Sequence, residues 1–527
     1  MKIKSVHIHN FRSIHDLKIS LSDYSIMVGK NNVGKSNIVD AIRCFYGDVK
    51  YEESDVCKRR KDNDMDPWIE IEYDLSASEY GRLDKKYQVE RGKLRVRKDL
   101  KTGTFHGYTK QGLSTSKFYN ERSAKPKILG NIIYVPAVVD VKENTKVSGA
   151  SALNSLVSII LQQPYFIRKY EQEIQSALSK MNRFFAPYFT TINTEINKDI
   201  KSTGVSVNIG PRRNVSSSDM TKLILNMAVR EAGADMDLEQ LGTGTQRRII
   251  SSLIKTSVTQ TSKATRKQIK RGIKEDLKES EEINKKVGFL PQMNLILFEE
   301  PEVSLHPEAI KDLAYDLHKF ASESSQQVLA TTHSSLLLSE DVADLNSVIR
   351  VEKDNHKTVA YQSALPQTDL EKIKNIVYFD RPRSDMFFAD KVVLVEGPTE
   401  YKLYDYLCRR GDISREDSKH ATLIETVGKW SMPYFINILN GLNIRYSVLY
   451  DLDGNPNRQD NLDVQNACTG LLDSSYGFPK DIETFCGTRK QGNHVINLIK
   501  EFDNGTIPAA KQAAVVQIYK GLLAKTK

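Results

Sequence analysis

Residues 29–36 read GKNNVGKS. Glycine, lysine and serine at that spacing form a phosphate-binding loop when an apolar strand precedes them and a helix follows. YSIMVG supplies the strand, and the segment from Lys35 to about Phe45 supplies the helix. Gly29 and Gly34 let the backbone wrap an anion, with Asn31 and Asn32 between them, so successive N–H groups and the helix N-terminus face the charge of ATP. Lys35 is expected to reach the β- and γ-phosphates and Ser36 to ligate Mg²⁺. Such a loop calls for a second strand that ends in carboxylates, and NLILFEEPE at 294–302 provides one. Glu299 would support the Mg²⁺, directly or through water, and Glu300 would position or deprotonate the attacking water. Many sites of this kind carry aspartate at the first of these two positions, so the longer arm of Glu299 leaves its coordination mode open.

A second set of acids lies far from the first. Glu396 follows the apolar run KVVLV, Glu400 comes one helical turn later, and VLYDLDG at 448–454 places Asp451 and Asp453 after another apolar run. Alternate residues on a strand share a face. Four acids on neighbouring strand ends concentrate more negative charge than folding favours unless a divalent cation is bound. Oxygen-only ligands suit Mg²⁺ or Mn²⁺. The bland alternative is an Asp-rich turn with ordinary surface acids beside it.

Two more segments, LGTGTQRR at 241–248 and TTHSS at 331–335, stand in fixed order with the phosphate loop and FEEPE. Together they resemble the ATP-binding-cassette ATPases. That resemblance implies two heads sandwiching ATP, with Gly242, Thr243, Gly244 and Thr245 completing the site of the opposite head and His333 sensing the γ-phosphate. SLHP at 304–307 resembles the loop after the second carboxylate, and no convincing glutamine loop precedes the signature. The later acids resemble the Toprim domain, in which a glutamate and a DxD pair bind metal for phosphodiester chemistry.

A cassette ATPase followed by Toprim resembles the overcoming-lysogenization-defect (OLD) family of nucleases over essentially the whole chain. HNFRSIHDL, GKNNVGKS, FEEPEVSLHP, TTHSS and FFADKVVLVEGPTE are similar to its motifs and in its order. The resemblance implies ATP-regulated, metal-dependent cleavage of DNA with a pair of metals. Glu396, Asp451 and Asp453 would hold one ion, and Glu400 and Glu483, the latter in DIETF at 481–485, would help position the second. Lys490 in TRKQGNH would neutralise the transition-state phosphate, with Arg489 and Lys500 as nearby alternatives, and Gly428 and Lys429 resemble a glycine-lysine turn between Toprim strands. Some family members act in bacterial defence against phage, either with a helicase partner, as in Gabija, or beside a reverse transcriptase and its retron DNA, and domain sequence does not choose between those settings. They insert a dimerisation arm where this chain has residues 151–200, which implies a homodimer or larger even oligomer. Arg381, Arg383, Arg409 and Arg410 are candidates to guide a phosphate backbone toward the acids, against a plain reading as solvated surface.

The elements that must position these residues follow from periodicity. Residues 3–9, 17–28, 68–75, 92–98 and 131–137 read as strands, and 151–200 turns helical, with apolar residues three and four apart. Residues 261–286 are densely charged with few apolar anchors and read as a solvated helix or a loop. The expected architecture is α/β: a cassette-type head (1–150 and 206–380), a helical dimerisation insert (151–205) and a Toprim domain (381–527). A chain of 527 residues calls for two or three domains. A net charge of +9 permits nucleic acid as a partner without requiring it. The five cysteines, scattered and without a CxxC, indicate neither disulfides nor a zinc site. An alternating N-terminus without an apolar signal core, and the lack of an apolar run long enough to span a bilayer, place the expected site of action in the cytoplasm. Two readings compete with the nuclease. A non-cleaving DNA-bound clamp or sensor in DNA repair is weakened by retention of all four acids, and a transporter ATPase lacks any membrane-contacting partner signature.

Overall fold

The computed structural model of this chain describes residues 1–60, 64, 66–120, 129–137, 229–231, 234–236, 294–303, 305–322, 326–338, 345–366, 368–371, 381–489 and 493–524. Two compact units divide the chain: Met1–Ile132 with Gly288–Lys527, and Ile133–Val287. In the second unit the described residues include an antiparallel pair, Val229–Glu231 with Ala234–Met236.

The first unit opens with β1 (Lys2–Phe11), β2 (Ile14–Ser20) and β3 (Tyr24–Val28), then helix α1 (Lys35–Tyr46). β4 (Trp68–Asp74), β5 (Lys93–Asp99), β6 (Phe105–Thr109) and β7 (Gly112–Leu113) join β1 and β2 in an antiparallel sheet of order β2-β1-β4-β5-β6-β7. Alternation drives this sheet: Val6 and Ile8 of β1, Ile69 and Ile71 of β4 and Leu94 and Val96 of β5 are buried, and α1 packs on β1 and β4. Buried Lys98 donates to the carbonyls of Cys44 and Phe45, closing the C-terminal end of α1.

β3 belongs to a different sheet. β8 (Asn131–Val135) is followed, after the pair β9 (Val229–Glu231) and β10 (Ala234–Met236), by β11 (Asn294–Glu299), β12 (Gln326–Thr332), β13 (Val348–Asp354) and β14 (Lys357–Gln362). The order β14-β13-β3-β12-β11 is parallel except for the antiparallel hairpin β13–β14. Every residue of β3 and β12 is buried, as a central parallel strand requires. Register brings Val28, Thr332 and Glu299 to one edge, the C-terminal ends of the strands.

The sheet of the Toprim-like region is all parallel, with order β16-β15-β17-β18 from β15 (Lys391–Val395), β16 (Ala421–Glu425), β17 (Arg445–Asp451) and β18 (Leu472–Phe478). Val393, Val395, Leu449 and Phe478 pack with Leu403, Leu407 and Tyr519 from flanking helices. Head and Toprim sheets meet through β13. Buried Arg350 donates to the carbonyls of Ala389, Leu442 and Asn443, at 3.1, 3.2 and 3.2 Å. Near the same junction, a cavity of about 460 Å³ is lined by His333, Ser334 and Ser335 from the head and Asp385, Phe388, Ala389 and Thr422 beyond it. Among the described residues no helix is long and apolar enough to cross a membrane.

Candidate active sites

The phosphate loop joins β3 to α1 in a backbone shape that only part of the sequence tolerates. Gly29, Asn32 and Gly34 have φ of +148°, +62° and +114°. A Cβ on Gly29 would come 2.3 Å from the Val351 carbonyl oxygen, and one on Gly34 would come 2.1 Å from the Thr358 hydroxyl. Both glycines are therefore fixed by torsion and by the β13–β14 hairpin pressed against them. Thr358 also donates to the Val33 carbonyl at 2.8 Å, clamping the loop from outside. Asn31, Asn32 and Ser36 are exposed along the loop and first helical turn. Gly34, as the N-cap, has no side chain to bond the first N–H groups of α1, which leaves them facing any bound anion.

Lys35 is buried, and its ammonium donates to the carbonyls of Gly29 and Lys30 and to His333 Nε2, each at 2.9 Å. Burial, and then the Lys35 charge, push the His333 pKa down. Glu300 Oε1 lies 3.4 Å from the same His333 nitrogen, so the ring edge sits between the lysine and the carboxylate. Glu299 ends β11 opposite Thr331 of β12, and Glu300 follows in a left-handed conformation, φ +41°, with its N–H on the Thr331 carbonyl. That kink separates the two adjacent acids. Glu302, which motif reading did not single out, accepts the His333 N–H at 2.7 Å and so fixes the turn carrying the histidine. The third acid of EEPE was the available signal. The structure thus gathers Lys35, Glu300, Glu302 and His333 at one strand-end edge.

In the Toprim sheet the acids again sit at C-terminal strand ends. Glu396 follows β15, and its Oε2 accepts the N–H of Asp451, the last residue of β17, at 3.0 Å. Glu400 is buried, and its Oε2 takes the Gly397 N–H at 3.1 Å, capping its own helix Pro398–Arg410. Burial, with Glu396 and Glu483 adding to it, pushes the Glu400 pKa up to about 7. Glu483, in the helix Ile482–Cys486, is also buried, and its Oε1 has no hydrogen-bond partner. His494 Nε2 lies 3.8 Å from that oxygen. A buried carboxylate whose pKa its acidic neighbours raise, beside a second with an unsatisfied buried oxygen, gives a donor set that fits a divalent cation. Even so, among the described residues no trio of acids, histidines or cysteines is gathered at ligating distance.

Asp453 faces elsewhere. Its Oδ2 accepts from Lys429 Nζ at 2.7 Å and from Arg458 Nη1 at 3.0 Å, with the backbone in the left-handed region at φ +52°. Lys429 is buried and also donates to the Asp451 carbonyl at 2.5 Å. The turn that the sequence marks only by its glycine and lysine therefore touches both aspartates. The basic residues divide by position. Arg383 donates to the Glu425 carbonyl at the C-terminal end of β16, near the acids. Arg409 and Arg410 end the helix that runs back from β15, so they lie at the opposite edge of the sheet, paired with Asp405 and Asp412. A direct role for that pair at the acids is ruled out by this placement. The signature residues Gly242 and Gly244, the insert 151–205, residues 261–286 and Lys490 lie outside the described residues, as does the side chain of Arg381.

Comparison with known proteins matches residues 1–131 and 109–338 to the model described as AAA ATPase domain. Residues 387–453 match the model described as overcoming lysogenization defect protein-like, TOPRIM domain. The chain belongs to the AAA ATPase domain family, and its Toprim domain is of the OLD type. Curated relatives include the Old nuclease of Escherichia phage P2, 25% identical and covering 86% of this chain and 77% of that protein. The OLD nuclease of Thermus scotoductus is 21% identical, over 86% of this chain and 82% of its own length. The endonuclease GajA of Bacillus cereus strain VD045 is 22% identical, over 86% and 75%. Among solved structures, the SMC head domain of Thermotoga maritima is 14% identical, covers 69% of this chain and 100% of its own, and has a TM-score of 0.33.

Proposed function

We propose that this chain is an ATP-regulated, metal-dependent DNA endonuclease of the OLD type. The observation that carries this reading is the meeting of Glu396 and Asp451 at adjacent parallel strand ends, with buried Glu400 and Glu483 behind them. In the head, Lys35 and Ser36 would hold ATP and its Mg²⁺, Glu299 and Glu300 would serve metal and water, and His333 would sense the γ-phosphate. Gly242 and Gly244 of one head would complete the site of another, so the working unit is a homodimer or a larger even oligomer. In the Toprim site, Glu396, Asp451 and Asp453 would hold one divalent ion, and Glu400 and Glu483 would position a second. Bound Mg²⁺ or Mn²⁺ supplies charge to the scissile phosphate and lowers the pKa of the attacking water. Lys490, or in its place Arg489 or Lys500, would neutralise the transition-state phosphate. Nuclease relatives over most of the chain support this reading, and the GajA relative favours a role in antiviral defence.

The test is cleavage of plasmid and linear DNA in Mg²⁺ or Mn²⁺, with and without ATP, beside Asp451→Ala. Wild-type protein should cut and the variant should not; equal cutting by both would sink the assignment. ATP turnover by Lys35→Ala tests the head separately, and the expected result is a loss of about 100-fold or more, as for other charged groups aimed at a transferring phosphoryl.

A further inference from the structure

The turn Thr426–Ser431 holds its buried residues against the acids and leaves an aromatic ring in solvent. Thr426, Lys429 and Ser431 are buried, whereas Trp430 is 50% and Val427 42% exposed. The turn is pinned on both sides. Thr426 Oγ1 donates to the Val395 carbonyl at 2.9 Å, Ser431 Oγ to the Gly428 carbonyl at 2.8 Å, and Lys429 Nζ spans Asp451 and Asp453. Trp430 is therefore held one residue, about 3.8 Å along the chain, from the lysine that touches both aspartates. Gly428 adopts φ +98°, and a Cβ there would come 3.0 Å from Trp430 Nε1, so the indole lies over bare glycine backbone. Cations lie on the same edge among its acids, Arg458 paired with Asp453 and Asp460 and Arg383 with Glu425. Arg458 and Lys480 are exposed beside Asp453, and Arg383 is bonded to the Glu425 carbonyl just before Thr426.

A lone exposed tryptophan means little. One fixed to a phosphodiester-cleaving centre and flanked by arginine and lysine has the two parts of a single-strand binding surface, a charged track and a stacking platform. We infer that Trp430 stacks on an unpaired nucleobase of the DNA strand whose backbone lies on the Toprim acids. This rests on the nuclease reading above. Paired bases hide their faces, so the site selects DNA with an unpaired or extruded base beside the cut.

The chain has two tryptophans, which makes the inference directly measurable. Trp68 lies on β4, stacked on His9 with Arg97 3.7 Å over its ring, apart from both sites. In Trp68→Phe the remaining indole is Trp430. Oligothymidylate should quench its emission, and a blunt duplex of equal length should do so far less. Trp430→Ala should weaken oligothymidylate binding about 5- to 100-fold, the worth of one base–aromatic stack, with Trp430→Phe close to wild type. If wild-type protein cuts DNA but Trp430→Ala binds oligothymidylate equally well and emission does not change, stacking is overturned and the nuclease reading survives. If wild-type protein cuts no DNA while quenching and the affinity loss both appear, stacking stands and the nuclease reading falls.

Discussion

Lys429 Nζ lies 2.5 Å from the Asp451 carbonyl oxygen and 2.7 Å from Asp453 Oδ2, so one buried ammonium bridges both aspartates of DLD. Asp460 Oδ2 lies 3.7 Å from the same ammonium. Lys429→Met keeps much of the volume and removes the charge, leaving Arg458 as the remaining cation bonded to Asp453 and Asp460. The variant should lose about 1–3 kcal/mol of stability in chelator. Added Mg²⁺ should narrow the gap by neutralising Asp453 in place of the lysine. Thermal melts of both proteins in chelator and in Mg²⁺ measure this, and a gap that is independent of metal would remove Asp453 from the ligand set.

Glu400 gives the protein a pH signature. Its folded pKa is raised from an ordinary carboxylate value to about 7, chiefly by burial. The folded state therefore binds the proton more tightly than the unfolded chain. The resulting stability is fully present below the unfolded pKa and is lost as pH rises through about 7. Metal-free wild-type protein should lose stability between about pH 5 and 8 relative to Glu400→Gln, which keeps an acceptor for the Gly397 N–H but has no proton to lose. Parallel melting curves across that range would contradict the assignment.

Gly34→Ala meets two obstacles at once, a φ of +114° and the Thr358 hydroxyl 2.1 Å from the new Cβ. A cost of about 2–3 kcal/mol is expected, with loss of nucleotide binding. Adding Thr358→Ala removes the hydroxyl and methyl contacts but leaves its Cβ 3.0 Å away and the torsion strained, so stability should return only in part. Full recovery in the double variant, read by thermal melt, would show that torsion contributes nothing.

Arg350→Met would strip the donor from three carbonyls at once, those of Ala389, Leu442 and Asn443, and leave half-buried Glu352 without its cation. The loss should be about 3 kcal/mol. Because those carbonyls precede β15 and β17, the Toprim sheet should melt apart from the head, splitting one calorimetric transition into two. A single unshifted transition would show that the junction is held by other contacts. By contrast Lys30–Asp390, 2.6 Å long but well exposed at both ends, should contribute less than about 1 kcal/mol.

The sites were legible where chemistry is local in sequence. Gly29 to Ser36 fall within one turn of chain, and Glu299, Glu396 and Asp451 each end an apolar run, so spacing alone places them at strand ends. The strands at 68–74 and 93–99 declared themselves by alternation. What stayed hidden depends on tertiary approach. Nothing in TVGKW indicates that Lys429 points inward at two aspartates, and nothing in VIRVEKD marks Arg350 as the donor to three carbonyls of the Toprim region. Periodicity likewise ran 17–28 together, whereas Ser20 ends a strand of the antiparallel sheet and Tyr24 begins one of the parallel sheet. The arginines at 409 and 410 looked like guides for a phosphate backbone because sequence distance from the acids is short, yet a helix of thirteen residues carries them to the far edge.

The β13–β14 hairpin has consequences for how alleles of this protein are read. Val351 and Thr358 form the wall against which the phosphate loop is moulded, and Arg350, one residue from Val351, bonds three carbonyls of the Toprim region. A lesion anywhere in 348–362 will score as defective in nucleotide binding and in cleavage together, whatever its primary injury. Whether one activity governs the other is therefore a question for epistasis between alleles outside that hairpin.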